Sequence, residues 1–314
     1  MQVVGYLTGL LGATSSRAAS KRKALESHRE QAIDDAVAWC VAHGGSYASA
    51  APAGGGSAEE ASFGHAPFAL APFPFPRREY ERVVALQPKF NALVDAVARD
   101  AEWLEATLAQ TAAGDAFTRR LLELRRACDG GPQKCGLGLL RSDYMLDAGG
   151  SDAGDETAGR ALQIEVNTIA ASFGCLSEVM SGLHGFVTGR FSGAVPDAWT
   201  PLPKNGAKET LAGGIAAAAA EYDRQFPAAA FPRRVAFVVQ AGERNAMDQR
   251  MLEHALWDVH QIAVERVAAC AESHQDTIQR ECSGTLFWGL SLRASGNYGE
   301  PSNRPVPGDR VSTS

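Results

Sequence analysis

The sequence lacks the features of a membrane protein and of a nucleic-acid-binding protein. No stretch reaches the roughly 18 consecutive apolar residues that a membrane-spanning helix requires. Basic residues are outnumbered, with 30 Lys and Arg against 36 Asp and Glu and a formal net charge of −6. The electrostatic footprint of a nucleic-acid-binding protein is therefore missing. We expect neither a membrane nor a nucleic acid among the partners of this chain.

Close cysteine pairs are missing as well. The six cysteines are scattered without a C-x-x-C pair, and no histidine completes a zinc spacing such as H-E-x-x-H. This pattern is typical of free thiols in a reducing compartment and favours a cytoplasmic location. A metal held by Cys and His is not expected, whereas a hard cation held by oxygen atoms stays open.

The first 25 residues form a distinct segment. An apolar run from Val3 to Ala13 precedes four basic residues between 17 and 23, and the segment contains no acid. A secretory signal has the reverse order, so the composition is closer to an organellar transit peptide. An unstructured start is the alternative.

The next part of the chain is predicted to be helical. Ser27 and Glu30 form a capping box ahead of a helix that ends near Gly44. The proline-rich segment Ala66 to Pro76 predicts an extended strap on the body. Two amphipathic core helices follow, from Glu79 to about Leu108, kinked or divided at Pro88, and from Asp115 to Cys128.

The period then changes to that of strands. Two strands joined by a Gly/Asp-rich loop are expected to pair antiparallel, and a later strand–helix–strand order predicts a parallel βαβ unit. The strands of the pair are Leu137–Leu146 and Leu162–Ile169, the following helices are Leu176–Val187 and Ala207–Tyr222, and the βαβ unit is Arg234–Gln240, Gln249–Val259 and Gln261–Val267. Residues 286–314 hold no period and predict a disordered tail.

The densest polar cluster lies on the strand pair. The period of two places Glu165 and Asn167 on one face, where a carboxylate and an amide oxygen could form half of a Mg²⁺ shell. A solvated strand face is the alternative. Arg141 on the other strand could reach a carboxylate or phosphate, or could pair with Asp143 or Glu165.

Two loops are further candidates. The small residues from Thr168 to Gly174 permit a ligand to approach backbone N–H groups at the start of the next helix, although an ordinary strand-to-helix turn is the commoner case. Glu243, Asn245 and Gln249 follow the Arg234–Gln240 strand, where α/β sheets bind ligands. The alternative is a helix N-terminus that Asp248 caps. No P-loop, G-x-G-x-x-G, G-x-S-x-G or Ser/His/Asp set is present.

Three motifs resemble the eukaryotic-type glutathione synthetase family. They are Leu137–Met145 (LGLLRSDYM), Gln163–Gly174 (QIEVNTIAASFG) and Glu243–Arg250 (ERNAMDQR). The Ala66–Pro76 strap and the Phe90–Val97 helix are similar too. The likeness runs in order from about Glu30 to Val267.

The resemblance implies an ATP-grasp ligase that joins γ-glutamylcysteine to glycine through an acyl phosphate, with ATP as co-substrate, Mg²⁺ as cofactor and a homodimer as its assembly. Arg141 would bind substrate and act in catalysis. Glu165 and Asn167 would hold Mg²⁺, and Glu165 would also lie against ATP. Contacts to the dipeptide would come from Ile169, Ala170, Ala171, Ser172, Glu243, Asn245 and Gln249. Ala170 stands where the family usually has serine, so one hydroxyl contact would be lost.

The implied architecture is a mixed α/β, partial ATP-grasp fold with amino-terminal helices, a central antiparallel strand pair and a βαβ fragment. We expect a transit or disordered segment at 1–25, a synthetase-like body at 26–230, an incomplete substrate-binding domain at 231–285 and a tail at 286–314. The family's ATP clamp and glycine-rich lid are not recognisable after Val267, which suggests an incomplete chain. A catalytically incompetent fragment that binds dipeptide or pairs with a full-length subunit is therefore the alternative. A different ATP-dependent ligase on the same amino-terminal half is a weaker third.

Overall fold

A computed structural model describes residues 28–48, 62–73, 75–128, 135–147, 159–192, 201–227, 234–240, 243–269 and 286–288. Within these residues the chain forms seven helices and seven strands. In chain order they are α1 (Arg29–Ala42), β1 (Ser46–Ala48), β2 (Phe63–His65), α2 (Arg77–Arg99), α3 (Ala101–Gly114), α4 (Ala116–Cys128), β3 (Arg141–Leu146), β4 (Ala161–Asn167), α5 (Gly174–Arg190), α6 (Ala207–Gln225), β5 (Arg234–Gln240), α7 (Ala246–His260), β6 (Ala263–Ala269) and β7 (Leu286–Trp288). The mixed α/β class expected from the sequence is confirmed.

Three small sheets organise the strands. β1 pairs with β2, and β3 pairs with β4, both antiparallel. β5 lies between β6 and β7 and is parallel to both. The antiparallel pair and the parallel βαβ unit that the sequence predicts are therefore confirmed. The tail expected to lack structure from residue 286 onward begins instead with the strand β7, and residues 289–314 lie outside the described residues.

The main core surrounds β5. Phe237 on β5 is 1% exposed and packs in one cluster with Ile215 of α6, Leu256 of α7 and Cys175 of α5. Burying side chains of this size stabilises the fold by about 1.5–3 kcal/mol each. The cluster joins residues from both sides of position 230, so one core holds α5 and α6 against the βαβ unit.

A second core lies between α1 and α5. Cys40, Leu183 and Val187 are fully buried in it, and Phe68 of the segment before α2 packs against its edge. The His184 Nε2 atom lies 2.9 Å from the Ala69 carbonyl oxygen, which fixes the same segment to α5. The strap predicted there is thus confirmed as an irregular segment laid on the body.

The boundaries of the first helices differ from the sequence expectation. α1 begins after His28, which makes no side-chain capping bond. Ser27 of the predicted capping box lies outside the described residues. α2 continues through Pro88 and ends at Arg99. The division falls at Asp100, because its carboxylate accepts a hydrogen bond from the Trp103 N–H at 2.9 Å and so caps α3.

The helices α2 to α4 were expected to be core elements, and this expectation is wrong for the described part of the chain. α2 and α3 have no buried residue there, and Leu122 is the buried side chain of α4. α3 packs on α4, and α2 contacts α3 and β4, but many of their apolar side chains stay exposed, among them Leu93, Trp103 and Phe117. α3 and α4 are joined to each other by the Arg126–Glu105 ion pair.

Candidate functional site

The register of β3 and β4 builds a polar face. Arg141 lies opposite Asn167 and Asp143 lies opposite Glu165, with an irregularity in the pairing directly after Asp143. Opposite residues of antiparallel strands point to the same face, so these four side chains lie together. The Asn167 Nδ2 atom donates to Glu165 Oε1 at 3.0 Å. The prediction that Glu165 and Asn167 share a face, with Arg141 beside them, is confirmed.

Arg141 forms a two-pronged ion pair with Asp143. Its Nε and Nη2 atoms donate to the two carboxylate oxygens at 2.8 and 2.9 Å. This arginine holds the pKa of Asp143 below its usual range, and the carboxylate in turn raises the pKa of Arg141. Of the partners left open for Arg141 from the sequence, Asp143 is therefore the one that makes the ion pair.

Arg141 also connects β3 to the loop that precedes α5. Its Nη1 atom donates to the Ser172 carbonyl oxygen at 3.4 Å, and its guanidinium carbon lies 5.8 Å from the centre of the Phe173 ring. A guanidinium over an aromatic face is attracted by the ring quadrupole. The arginine is thus held from both sides, by a carboxylate on its own strand and by the loop.

The loop itself has an unusual backbone. Ala170 and Phe173 adopt positive φ angles of 55° and 70°, a conformation that costs non-glycine residues of order 1–3 kcal/mol. Ile169 is exposed, whereas Ser172 is 4% exposed and its Oγ atom has no hydrogen-bond partner. Strain together with an unpaired buried hydroxyl is typical of a loop shaped for binding.

Asp248 caps α5 rather than its own helix. Its two carboxylate oxygens accept hydrogen bonds from the Phe173 N–H at 2.7 Å and from the Leu176 N–H at 2.8 Å. Two interpretations that the sequence left open are therefore wrong. Asp248 does not cap α7, because Asn245 is the N-cap residue of that helix. The N–H groups of Phe173 and Leu176 at the start of α5 are not free for a ligand, because Asp248 accepts from both. Burial raises the pKa of Asp248, while the N–H donors oppose that rise.

The remaining predicted site residues surround the start of α7. Asn245 and Gln249 are completely buried, although both side chains are polar. The Glu243 Oε1 atom accepts from the Asn245 N–H at 2.8 Å, but Glu243 Oε2, Asn245 Oδ1 and Gln249 Nε2 have no hydrogen-bond partner. A buried polar atom without a partner costs about 1–3 kcal/mol.

The other end of the Gln249 amide is engaged in the βαβ unit. Gln249 Oε1 accepts from Arg266 Nη2 at 2.6 Å. Arg266 also pairs with Glu253, which accepts a second bond from Arg250 at 2.8 Å. Gln249 is thereby fixed in one orientation by β6.

A cavity of about 670 Å³ lies between β3, the loop before α5 and the start of α6. Of the predicted site residues, Arg141, Ala171 and Ser172 line it, together with Asp248. Glu165 and Asn167 lie on the adjoining face and share Arg141 with it, whereas Glu243, Asn245 and Gln249 do not line it. The structure thus brings Arg141, Ala171 and Ser172 together at the cavity. The predicted site residues at the start of α7 lie outside its lining.

The wall of this cavity opposite β3 was not predicted from the sequence. Lys204 and Asn205 line it just before α6. Asn205 Nδ2 donates to Ser177 Oγ at 3.1 Å, and Asn205 Oδ1 accepts from the Ala207 N–H at 3.0 Å. An Asn-Gly pair before a helical run is a helix-start signal, but it indicates nothing about what lies across from it.

The donor set defines the kind of site. The carboxylates of Asp143 and Glu165, the Asn167 amide and Arg141 share one strand face, and Arg141 connects this face to the cavity, an arrangement that suits an anionic ligand and a hard cation. Among the described residues no three His, Cys, Asp or Glu side chains converge as a metal site. An ion on this face would therefore draw on the Asn167 amide and on ligand oxygens. In the same residues, no helix is both long and apolar enough to cross a membrane.

Comparison with known proteins gives the family of the chain. Residues 26–282 match the family described as "Eukaryotic glutathione synthase, ATP binding domain". The chain belongs to this family.

Curated relatives extend the match. The chloroplastic glutathione synthetase of Solanum lycopersicum is 34% identical over 255 residues, which cover 79% of this chain and 44% of that protein. The glutathione synthetase of Homo sapiens is 40% identical over 196 residues, or 61% of this chain and 38% of that protein. This chain therefore spans less than half the length of these relatives.

A solved structure resembles the fold. It is that of a glutathione synthetase-like effector of Globodera pallida in apo form, with a TM-score of 0.57 and 20% identity, covering 77% of this chain and 50% of that one. At this identity the likeness establishes the fold alone.

Proposed function

We propose that this chain acts in glutathione synthesis, in which ATP phosphorylates the cysteinyl carboxylate of γ-glutamylcysteine and the amine of glycine then displaces the phosphate. The polar face of β3 and β4 carries this proposal. Its arginine, two carboxylates and amide lie within hydrogen-bonding distance of one another and adjoin a cavity of about 670 Å³. Phosphoryl transfer to a carboxylate needs positive charge where negative charge develops on several oxygens together, and Arg141 and a cation held by the oxygen atoms of this face would supply it.

Arg141 is the residue that we propose to bind the reacting carboxylate. It lines the cavity and carries a permanent forked charge that matches a carboxylate or phosphate. Asp143 occupies two of its donors in this structure, and Nη1 points to the backbone of Ser172. A bound carboxylate would therefore share or replace the Asp143 contacts, and Asp143 would keep the guanidinium oriented.

Glu165 and Asn167 fit the Mg²⁺ that we propose as the cofactor. Both offer hard oxygen ligands, and Glu165 is exposed on the face that it shares with Asp143. The ion, when bound, supplies positive charge that neutralises the phosphates of ATP. Asn167 Nδ2 also donates to Asp143 Oδ2 at 3.3 Å, so the amide holds the two carboxylates at one place despite their mutual repulsion. Glu165 would in addition lie against ATP.

The buried unpaired atoms support the proposed dipeptide contacts. Ser172, Glu243, Asn245 and Gln249 each keep at least one buried polar atom without a partner. Ser172 lines the cavity, where a polar ligand such as γ-glutamylcysteine would recover the cost of about 1–3 kcal/mol for its unpaired hydroxyl. Glu243, Asn245 and Gln249 do not line the cavity, so the start of α7 would have to open before their side chains contact the dipeptide. Ile169 is exposed and Ala171 lines the cavity, so both are accessible to a ligand. Ala170 has no hydroxyl and would contribute through its backbone.

A chain that binds the dipeptide without turning it over is the second candidate, because the chain spans 44% of the Solanum lycopersicum relative. Phosphate release from ATP with γ-glutamylcysteine and glycine, measured on the purified chain, tests the activity. Calorimetric titration with the dipeptide tests binding. Turnover supports the synthetase, and binding alone supports the second candidate. If Arg141→Ala keeps both the phosphate release and the dipeptide binding of the unmodified chain, Arg141 does not belong to the site.

We also propose the organisation and setting expected from the sequence: a body over 26–230, a substrate-binding domain over 231–285 that shares one core with it, a homodimer and a cytoplasmic location. The Solanum lycopersicum relative is named chloroplastic, which supports organellar targeting by residues 1–25 as the alternative. Sedimentation velocity would test the dimer. A fluorescent fusion with and without residues 1–25 would test the location.

A further inference from the structure

The start of α2 holds the first residue of β4. Glu79 Oε2 accepts a hydrogen bond from the Ala161 N–H at 2.9 Å, and Arg82 Nη2 donates to the Ala161 carbonyl oxygen at 2.6 Å. Arg82 Nη2 also donates to Glu79 Oε2 at 2.6 Å, so the three residues form one closed set of bonds. Both backbone groups of Ala161 are therefore bonded by α2 side chains, as a neighbouring strand would bond them.

The Glu79–Arg82 pair differs from an ordinary surface ion pair of α2. The Glu79 side chain is 13% exposed and that of Arg82 is 35% exposed, and Ala161 is 3% exposed. In contrast, the side chains of Arg99 and Asp95 are 66% and 62% exposed, and their ion pair joins two residues of one helix. The bond from Ala161 to Glu79 links residues 82 positions apart, so it fixes β4 relative to α2.

The register of β4 changes shortly after the residue that α2 holds. Gln163 lies opposite Tyr144, but Glu165 then lies opposite Asp143, so Ile164 is one extra residue in β4. An extra residue in one strand of an antiparallel pair is a β-bulge, which bends that strand and increases its local twist. The bulge therefore lies directly before the polar face.

This extra residue brings the two halves of the polar face together. If β4 continued from Gln163 in a regular ladder, Ile164 would lie opposite Asp143, and Glu165 would lie opposite Ser142. Successive residues of a strand point to opposite faces, so Glu165 would then lie on the face away from Asp143. With the start of β4 held where it is, the polar face exists because of the one-residue shift.

The two ends of β4 are held by different contacts. At the end of the strand, Asn167 Nδ2 donates to Asp143 Oδ2 at 3.3 Å, which fixes the polar face to β3. At its start, the Glu79–Arg82 pair fixes Ala161 to α2. If that pair were removed, the first half of β4 could slip by one residue into a regular ladder with β3, since such a slip removes the unpaired residue of the bulge.

We propose that Glu79 and Arg82 are positioning residues of the polar face: by holding Ala161 they keep the bulge in β4 and so fix the direction in which Glu165 and Asn167 project. Loss of the bulge would straighten the strand and re-aim the side chains that follow it. The consequence for cation binding rests on the proposed function, whereas the consequence for strand register does not.

Methyl NMR of the full chain tests the register. Met145 and Leu162 lie opposite each other, so the unmodified chain should show a nuclear Overhauser contact between their methyl groups. In Glu79→Ala and in Arg82→Ala, Leu162 should lose this contact and gain one to Leu146, the residue that it would face after a slip of one. Alanine is the best helix former, so these changes do not weaken α2 itself.

Two further variants separate the bonds to β4 from a general effect on the helix. Glu79→Gln keeps an acceptor oxygen for the Ala161 N–H and should retain the Met145–Leu162 contact. Asp95→Ala is the matched control, because it removes an ion pair of the same helix that does not involve β4, and it should leave the register unchanged.

Electron paramagnetic resonance with Mn²⁺, used as the probe in place of Mg²⁺, tests the effect on the site. Binding that Glu165→Gln removes belongs to the polar face. The Kd for this ion should rise about tenfold in Glu79→Ala and Arg82→Ala, the lower end of what supporting residues contribute to metal sites. It should stay unchanged in Asp95→Ala.

The outcomes distinguish this proposal from the function beneath it. A Met145–Leu162 contact that survives both alanine variants overturns the proposal. A slip of the strand with unchanged Mn²⁺ affinity also overturns it, because the pair would then fix the strand without positioning the site. If the unmodified chain shows no Mn²⁺ binding that Glu165→Gln removes, the proposed cation role of the face fails, and the NMR contacts alone decide the register.

Discussion

Replacing Asp248 by asparagine should destabilise the fold, although the two side chains have nearly the same shape. The carboxylate accepts two backbone N–H groups, at 2.7 Å from Phe173 and at 2.8 Å from Leu176. An amide has one acceptor oxygen, so in Asp248→Asn one of these N–H groups would face an NH₂ donor. Asp248 is 3% exposed, so water does not replace the lost partner.

The expected loss is about 1–3 kcal/mol in the free energy of unfolding. A buried unsatisfied N–H costs about 1–3 kcal/mol, and a negative charge at a helix N-terminus contributes about 0.3–2 kcal/mol. Asp248→Asn recovers part of this lost free energy of unfolding, because the neutral amide does not carry the desolvation cost of a buried carboxylate. Burial raises the pKa of Asp248 in the folded chain above its unfolded value.

The raised pKa gives the prediction a pH dependence with a definite sign. Between the ordinary Asp pKa of about 4 and the raised folded value, the native chain binds more protons at Asp248 than the unfolded chain does. The stability that this group contributes is therefore complete below pH 4 and falls as the pH rises. The gap between the unmodified chain and Asp248→Asn should narrow from pH 4 upward.

Urea unfolding followed by circular dichroism at several pH values between 4 and 8 measures this gap. Asp258→Asn is the matched control, because Asp258 is an exposed aspartate on the same helix, and its change should stay within about 0.5 kcal/mol. Equal stability of Asp248→Asn and the unmodified chain would refute the capping role. A gap that widens with rising pH would refute the argument from burial.

Three further predictions concern other contacts. Arg141→Gln should let the pKa of Asp143 return toward its ordinary range. In the unmodified chain the lowered pKa contributes stability above about pH 4, and this stability is lost as the pH falls through the folded pKa; the variant should lack that contribution. Identical acid unfolding of the variant and the unmodified chain would contradict this. Gly182→Ala and Gly185→Ala share the helix α5 and gain about 1 kcal/mol of helix propensity each, but a Cβ at Gly182 would lie 2.8 Å from an indole atom, whereas Gly185 has open space. Thermal melts should therefore show Gly185→Ala as the more stable, and the reverse order would contradict the packing. Burial raises the pKa of Cys175 to about 12, so iodoacetamide at pH 8 should alkylate this thiol, by mass spectrometry, only after unfolding.

The elements that the sequence predicts well are those whose pattern is local. The strand pair and the βαβ unit follow from periods of two and 3.6, and their pairing is as expected because short connections bring neighbouring strands together. The shared face of Glu165 and Asn167 follows from strand geometry alone. Pro88 does not divide the helix, as it continues to Arg99, and the division falls at Asp100, whose carboxylate caps the next helix.

Contacts between distant segments could not be read from the chain. Asp248 caps a helix that begins more than 70 positions earlier. Sequence patterns identify a capping residue only for the helix that directly follows it in the chain. Lys204 lies across the cavity from β3 only because α6 packs on α5 and α7 through the core around Phe237. The sequence by itself determined the family motifs, the strand faces and the residue types available for binding. The tertiary structure decided which charges are paired and which polar atoms stay buried without a partner, because these depend on distances between elements that periodicity does not record.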